Sequence, residues 1–175
     1  RTQFDGNGHT IRLTSDEERC AITKPIFDNV IESHVNDLKL DLDLRGKPEA
    51  AMSRYIKGSV VKNIEWNGHL IGNMSSIFGN QNTSTSIIAS FAQDSVIEGI
   101  VQKGTVQTRN TQYYGIIGYV DNTSVRDVDI QLSELNSMTL STIGFYQINN
   151  SSEIDNINVN IDNFTNYNNT HYGIF

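Results

Sequence analysis

Apolar and polar positions in this chain recur as one short phrase: an apolar residue, a polar one, then Asp, Asn or Gly, then a second apolar residue. Its five copies are Val35-Asn36-Asp37-Leu38, Val61-Lys62-Asn63-Ile64, Ile97-Glu98-Gly99-Ile100, Val125-Arg126-Asp127-Val128 and Ile154-Asp155-Asn156-Ile157. Gly, Asn and Asp enter positive φ at the least cost, so the third position of each copy is a predicted backbone bend: Asp37, Asn63, Gly99, Asp127 and Asn156. Successive copies start 26, 36, 28 and 29 residues apart, the spacing of stacked repeat units. Beyond the bends, apolar residues alternate with polar ones, as in Leu38, Leu40, Leu42 and Leu44, in Val128, Ile130 and Leu132, and in Ile157, Val159 and Ile161. A period of two describes a strand with one face inward. The pattern therefore predicts an all-β solenoid in which the five bend residues stand in one column. Residues 1–175 are expected to form one domain, a segment of or a stacking unit in a longer solenoid.

An aromatic stands six residues before the phrase in three copies (Tyr55, Phe91, Tyr119), eight before it at Phe27 and nine before it at Phe145. The variable gap is predicted to be a loop. Inward rings stack in a core, which is the expected place of Tyr119 and Phe145, while neighbours such as Tyr146 line a shallow outer groove. Tyr113-Tyr114 and Phe145-Tyr146 must each place one ring on either side of the sheet. At the end of the chain, Tyr172-Gly173-Ile174-Phe175 reads as the opening strand of a further coil, and the turn Phe4-Asp5-Gly6-Asn7-Gly8 opens it in kind. Both are expected to be edges that dock on another coil, with Tyr172, Gly173, Ile174 and Phe175 pairing near Phe4 of a neighbour.

Composition agrees, with 37% hydrophobic residues and thirteen glycines in 175 residues. No apolar run approaches the roughly 18 residues of a membrane span, so membrane insertion is not expected. A net charge of -7 with scattered basic residues argues against nucleic acid as a partner. Cys20 is alone, so no internal disulfide and no thiolate zinc site forms. Asn is in excess. Seven Asn-x-Ser/Thr sites occur, at Asn73, Asn82, Asn122, Asn149, Asn150, Asn163 and Asn168, where about three to four are expected by chance from twenty Asn and thirty Ser/Thr. They fall in predicted loops that can carry glycans, although turn-forming residues also co-occur without modification. The same excess allows inward Asn side chains stacked coil over coil, each amide bonded to a neighbour's backbone.

Candidate chemistry is sparse. His9 and His69 each follow Asn-Gly, which reads as a hairpin or corner sequence more readily than as a general base, because no matched pair of carboxylates accompanies either. His34 and His171 are isolated. Asp37, Lys39, Asp41, Asp43 and Arg45 share the outward side of a strand; the interleaved cations make it a mixed-charge solvated face rather than a calcium site. No catalytic residue, metal-ligand set or cofactor is predicted.

The opening Phe4-Asp5-Gly6-Asn7-Gly8-His9-Thr10-Ile11 and the recurring Ile-Gly-Tyr/Phe, Asn/Ser, Val-x-Asp/Asn-Val phrase resemble the right-handed parallel β-helix repeats of large adhesin-like surface proteins, including those with GLUG-type repeats. That resemblance implies a single-stranded β-helix of about five to six coils. It also implies a secreted or cell-surface, non-enzymatic structural or adhesive module whose partners are itself or flanking coils, a host surface or a glycan. The same fold holds pectin-degrading enzymes, so the alternative is a polysaccharide lyase or glycoside hydrolase. Its candidate residues are Asp94, Asp121, Asp127 and Asp129 with Arg126. A flat ice- or mineral-binding face would need Thr in register, and Thr83, Thr85, Thr105 and Thr108 do not repeat at the solenoid interval.

Overall fold

The protein is described by a computed structural model covering residues 2–13, 24–45, 50–72, 84–108, 112–137, 141–166 and 172–173. All regular elements there are strands, numbered along the chain, and all pair in parallel in three sheets. The long sheet contains β1 (Gln3–Asp5), β2 (Thr10–Leu13), β4 (His34–Leu42), β5 (Leu44–Arg45), β7 (Val60–Gly72), β10 (Val96–Thr108), β13 (Ser124–Ser137) and β16 (Glu153–Asn166). A second sheet holds β3 (Phe27–Ile31), β6 (Ser53–Lys57), β9 (Ala89–Gln93), β12 (Ile117–Asp121) and β15 (Phe145–Asn149). The third is β8 (Ser84–Thr85), β11 (Gln112–Tyr114), β14 (Ser141–Thr142) and β17 (Tyr172–Gly173). Each coil runs from a short strand of the second sheet into a long strand, then through the third sheet and back.

The chain is thus a parallel β-solenoid of about four turns, not the five to six expected. The five copies of the phrase mark rungs of the long sheet alone, and a sixth, β1, lies beneath them. A turn is complete only when all three faces are present, and the third sheet has four described strands.

The phrase works because its bend corrects a parity problem. In a flat strand residues three apart face opposite sides, yet Val61 and Ile64, Ile97 and Ile100, and Val125 and Val128 are all buried. The left-handed residue between them absorbs one position, so apolar residues on both sides of it point inward. After it, Leu38, Leu40, Leu42 and Leu44 fill the interior while Lys39 faces water. Trp66 is fully buried, between Leu40 below and Gln102 above in the ladder. Gln102 is a polar residue in an otherwise apolar column. Its amide exchanges hydrogen bonds of 2.8 and 3.0 Å with the buried Tyr113 hydroxyl, which satisfies both groups. Burial raises the Tyr113 phenol far above its ordinary range, so the pair is neutral.

Candidate functional site

Asp37, Asn63, Gly99, Asp127 and Asn156 have φ of 54, 54, 69, 56 and 52°, and the register of the long strands sets each over the last. Their side chains leave the solenoid instead of entering it. Asn63 donates to Asp37 Oδ1 at 2.8 Å and Asn156 to Asp127 Oδ1 at 2.6 Å. The expectation of inward Asn bonded to backbone is therefore corrected: at a left-handed corner the side chain projects outward, where the nearest acceptor is the carboxylate one coil below. The Asn63 and Asn36 amides hold the Asp37 carboxyl below its usual range. Gly99 interrupts this column, leaving a groove lined by Lys39, Asn63, Glu65, Gly99, Val101 and Asp127.

A second left-handed column stands where the second sheet turns into the long one: Glu32, Gly58, Asp94, Asn122 and Asn150, with φ of 45, 57, 50, 44 and 51°. The sequence predicts a loop here, because the distance from the aromatic to the phrase varies from six to nine residues. Asn122 donates to Asp94 at 2.7 Å, and Asn150 to Asp121.

Between the columns runs a ladder of hydroxyls, also missed although its signal is present: Ser33, Ser59, Ser95, Thr123 and Ser152 each stand two residues before the phrase. The backbone N–H of Ser33 donates to Ser59 Oγ at 3.1 Å, Ser59 to Ser95 Oγ at 3.1 Å, Ser95 to Thr123 Oγ1 at 3.2 Å and Thr123 to Ser152 Oγ at 3.3 Å. The Ser59, Ser95 and Thr123 hydroxyls donate in turn to carbonyls two residues back, at 2.7, 2.6 and 2.8 Å. Ser95→Ala leaves the buried Ser59 N–H without its acceptor and is expected to destabilise the fold by about 1–3 kcal/mol in chemical unfolding, whereas Ser95→Thr should be nearly neutral.

On the outer long face Glu98 accepts from Arg126 at 2.9 Å and Lys62 at 3.0 Å, joining three consecutive coils. Lys103 pairs with Glu65 at 2.9 Å and Arg12 with Asp41 at 2.6 Å. Arg126 and then Lys62 hold the Glu98 carboxyl below its ordinary value. A carboxyl with a depressed folded pKa stabilises above its unfolded pKa, and that contribution is lost as pH falls through the folded value. Unfolding midpoints should therefore drop below about pH 4.5, and Glu98→Gln should flatten that drop; an identical pH profile for parent and variant would show that the pair contributes nothing.

The enzyme candidates fall at three places, with Asp94 and Asp121 in contact through the Asp94 N–H, which donates to the Asp121 carbonyl at 3.1 Å. Asp94 and Asp121 lie at the second corner and Asp127 at the bend, while Asp129 faces outward on β13, where it accepts from Asn158 at 2.9 Å. Each of these four carboxylates holds an Asn of the following coil, and Arg126 holds Glu98. Asn7-Gly8-His9 is a turn, but Asn67-Gly68-His69 lies inside β7, a correction to its reading as a corner. There His69 Nδ1 is 2.7 Å from Thr105 Oγ1 and its backbone N–H donates to Asp43 at 3.3 Å. His34 opens β4, and His171 and Cys20 lie outside the described residues.

The aromatic phrase divides. Phe145 is buried as expected, whereas Tyr119 is not in the core: Tyr55, Phe91 and Tyr119 are half-exposed in one outer column of the second sheet, because Ile56, Ala92 and Val120 beside them take the inward side. Their ring centroids are 5.3 and 6.2 Å apart, and Tyr55 Oη donates to Gln93 at 2.8 Å. Tyr114 and Tyr146 extend the patch, parallel to within 9° at 3.9 Å.

Of the sequon residues, Asn122, Asn150 and Asn163 are exposed and Asn149 is half-buried; Asn73, Asn82 and Asn168 lie outside the described residues. Tyr172 and Gly173 form β17, paired with β14 in the third sheet, whereas Phe4 belongs to the long sheet, so the expected pairing between them does not continue any sheet. Ile174 and Phe175 lie outside the described residues. Comparison of the chain with protein-family models, curated proteins and solved structures returns no match.

Proposed function

We propose that this chain is a non-enzymatic structural and adhesive β-helix module, secreted or held on a cell surface, that stacks end to end with flanking coils or further copies of itself. The observation that carries this reading is the engagement of Asp94, Asp121, Asp127 and Asp129 by the Asn residues of the next coil. Carboxylates tied to amides in this way serve cohesion between coils. The likeness of the repeated phrase to adhesin-like GLUG-type repeats agrees with it.

Stacking is supported by the state of the two end rungs. Ile154, Ile157, Val159 and Ile161 of β16 are only partly buried, while their partners on β13, Val125, Val128, Ile130 and Leu132, are enclosed. Phe164 is 48% exposed at one end and Leu13 42% at the other. A coil laid on β16 covers the first set and continues its backbone ladder, so sheet continuity joins β16 of one unit to β1 and β2 of the next. The outer aromatic column is the surface this rod offers to a glycan.

Incubation with pectin and related polysaccharides tests the reading. Co-sedimentation without release of reducing ends is the expected result, weakened by Tyr119→Ala. Polymer cleavage that scales with protein and disappears on Asp127→Asn would replace it with the lyase or hydrolase alternative. Light scattering should show mass growing in multiples of the chain with concentration; a constant single-chain mass would restrict stacking to flanking coils.

A further inference from the structure

We propose that Tyr114 and Tyr146 are a site of oxidative cross-linking, at which a one-electron oxidant of the peroxidase class, with hydrogen peroxide, joins two adjacent coils through a dityrosine bond. The residues are 32 positions apart in the chain, but β11 pairs with β14 and β12 with β15, which brings them to neighbouring levels of the outer face.

Three tyrosines meet there, and their pairs differ in geometry. Tyr114 and Tyr146 are face to face, 3.9 Å between centroids and 9° between planes. Tyr119 meets both edge-on, at 6.0 Å and 84° to Tyr114 and at 5.5 Å and 76° to Tyr146. Burial, and then the neighbouring Tyr146 and Tyr119 phenols, raise the Tyr114 phenol above its ordinary range. Parallel rings at this separation overlap face to face, so carbons of one ring lie against carbons of the other. Aryl coupling forms its bond perpendicular to the ring planes, and only the Tyr114–Tyr146 pair offers that overlap.

The chemistry balances with one peroxide. Each phenol yields one electron and its hydroxyl proton, giving two phenoxyl radicals. These join at their ortho carbons, and the two ring hydrogens displaced there move to the oxygens, restoring both phenols. The protein loses two hydrogens in all, and hydrogen peroxide takes up two electrons and two protons to become two waters. Tyr146, 36% exposed, meets the oxidant; Tyr114, 9% exposed, is oxidised through its contact with Tyr146. With Cys20 the chain's single cysteine, no internal disulfide can staple the coils, and this bond would do so by closing a long loop of the unfolded chain.

The full chain, dilute and glycan-free, is treated with peroxidase and peroxide. Expected are blue dityrosine fluorescence, an intact mass lower by two hydrogens with no dimer, a tandem mass spectrum linking Tyr114 to Tyr146, and a raised thermal midpoint. Tyr114→Phe and Tyr146→Phe keep both rings, so folding is retained and checked by circular dichroism; each should abolish the intramolecular product, while Tyr119→Phe should retain it. A cross-link mapping to another pair, a product that is mainly intermolecular, or undiminished fluorescence in Tyr146→Phe would overturn the proposal.

Discussion

Gly104→Ala is expected to lower stability by about 3–5 kcal/mol, read as a fall in the urea midpoint at unchanged slope. Gly104 has φ of 103°, a region L side chains rarely adopt, and it pairs in register with Gly68 in the coil below. A Cβ built at Gly104 overlaps the Gly68 carbonyl oxygen and lies 2.9 Å from the Gly68 nitrogen, so both are rigid backbone obstacles. Gly68 is crowded in the same way by Leu42. The two glycines let consecutive long strands approach where the register of β10 against β13 shifts by one residue, between Gly104 and Thr105. Lys103→Ala, one residue away, removes only the surface pair with Glu65 and should cost about 1 kcal/mol or less. Equal effects of the two substitutions would mean that the backbone approach is not the constraint.

Trp66→Ala is expected to cost a similar amount, about 3–5 kcal/mol. The indole is fully buried in the core cluster, stacked in register between Leu40 and Gln102, and the parallel ladders above and below prevent the site from collapsing. The comparison with Trp66→Phe is informative because Nε1 has no hydrogen-bond partner. Phe keeps most of the packing and removes a buried donor, so its cost should be well under half that of Ala. Since this is the chain's one tryptophan, unfolding has to be followed by circular dichroism. A loss under about 1 kcal/mol for Trp66→Ala would show that the interior of the long sheet repacks freely.

The bend column was legible because the phrase confines its third position to Asp, Asn or Gly in every copy, and positive φ is a preference of single residues. The second corner was not, because Glu32 adopts φ of 45° there with no such preference, held by the coils packed around it. The hydroxyl ladder sits between these. Ser or Thr occurs at a constant place in all five copies, yet nothing local distinguishes a hydroxyl that caps a neighbour's N–H from one that faces water.

The candidate chemistry was legible as residue types but not as arrangement. The sequence identified Asp94, Asp121, Asp127 and Asp129 as acidic candidates, and Asn as the residue in excess. That each of those carboxylates meets an Asn one coil on depends on offsets of 28 or 29 residues between coils. The aromatic period of Tyr55, Phe91 and Tyr119 was real, but Tyr119 was assigned to the wrong face: period two separates two sides of a strand without saying which is inside.

Repetition, strand alternation and the place of the bend belong to the sequence, since each follows from the conformational preference of a residue and its nearest neighbours. Which side of each strand is enclosed, which amide reaches which carboxylate, and the placing of Tyr114 against Tyr146 belong to the folded solenoid. Those contacts join residues about a full coil apart, and the length of chain taken up at each corner sets which of them coincide.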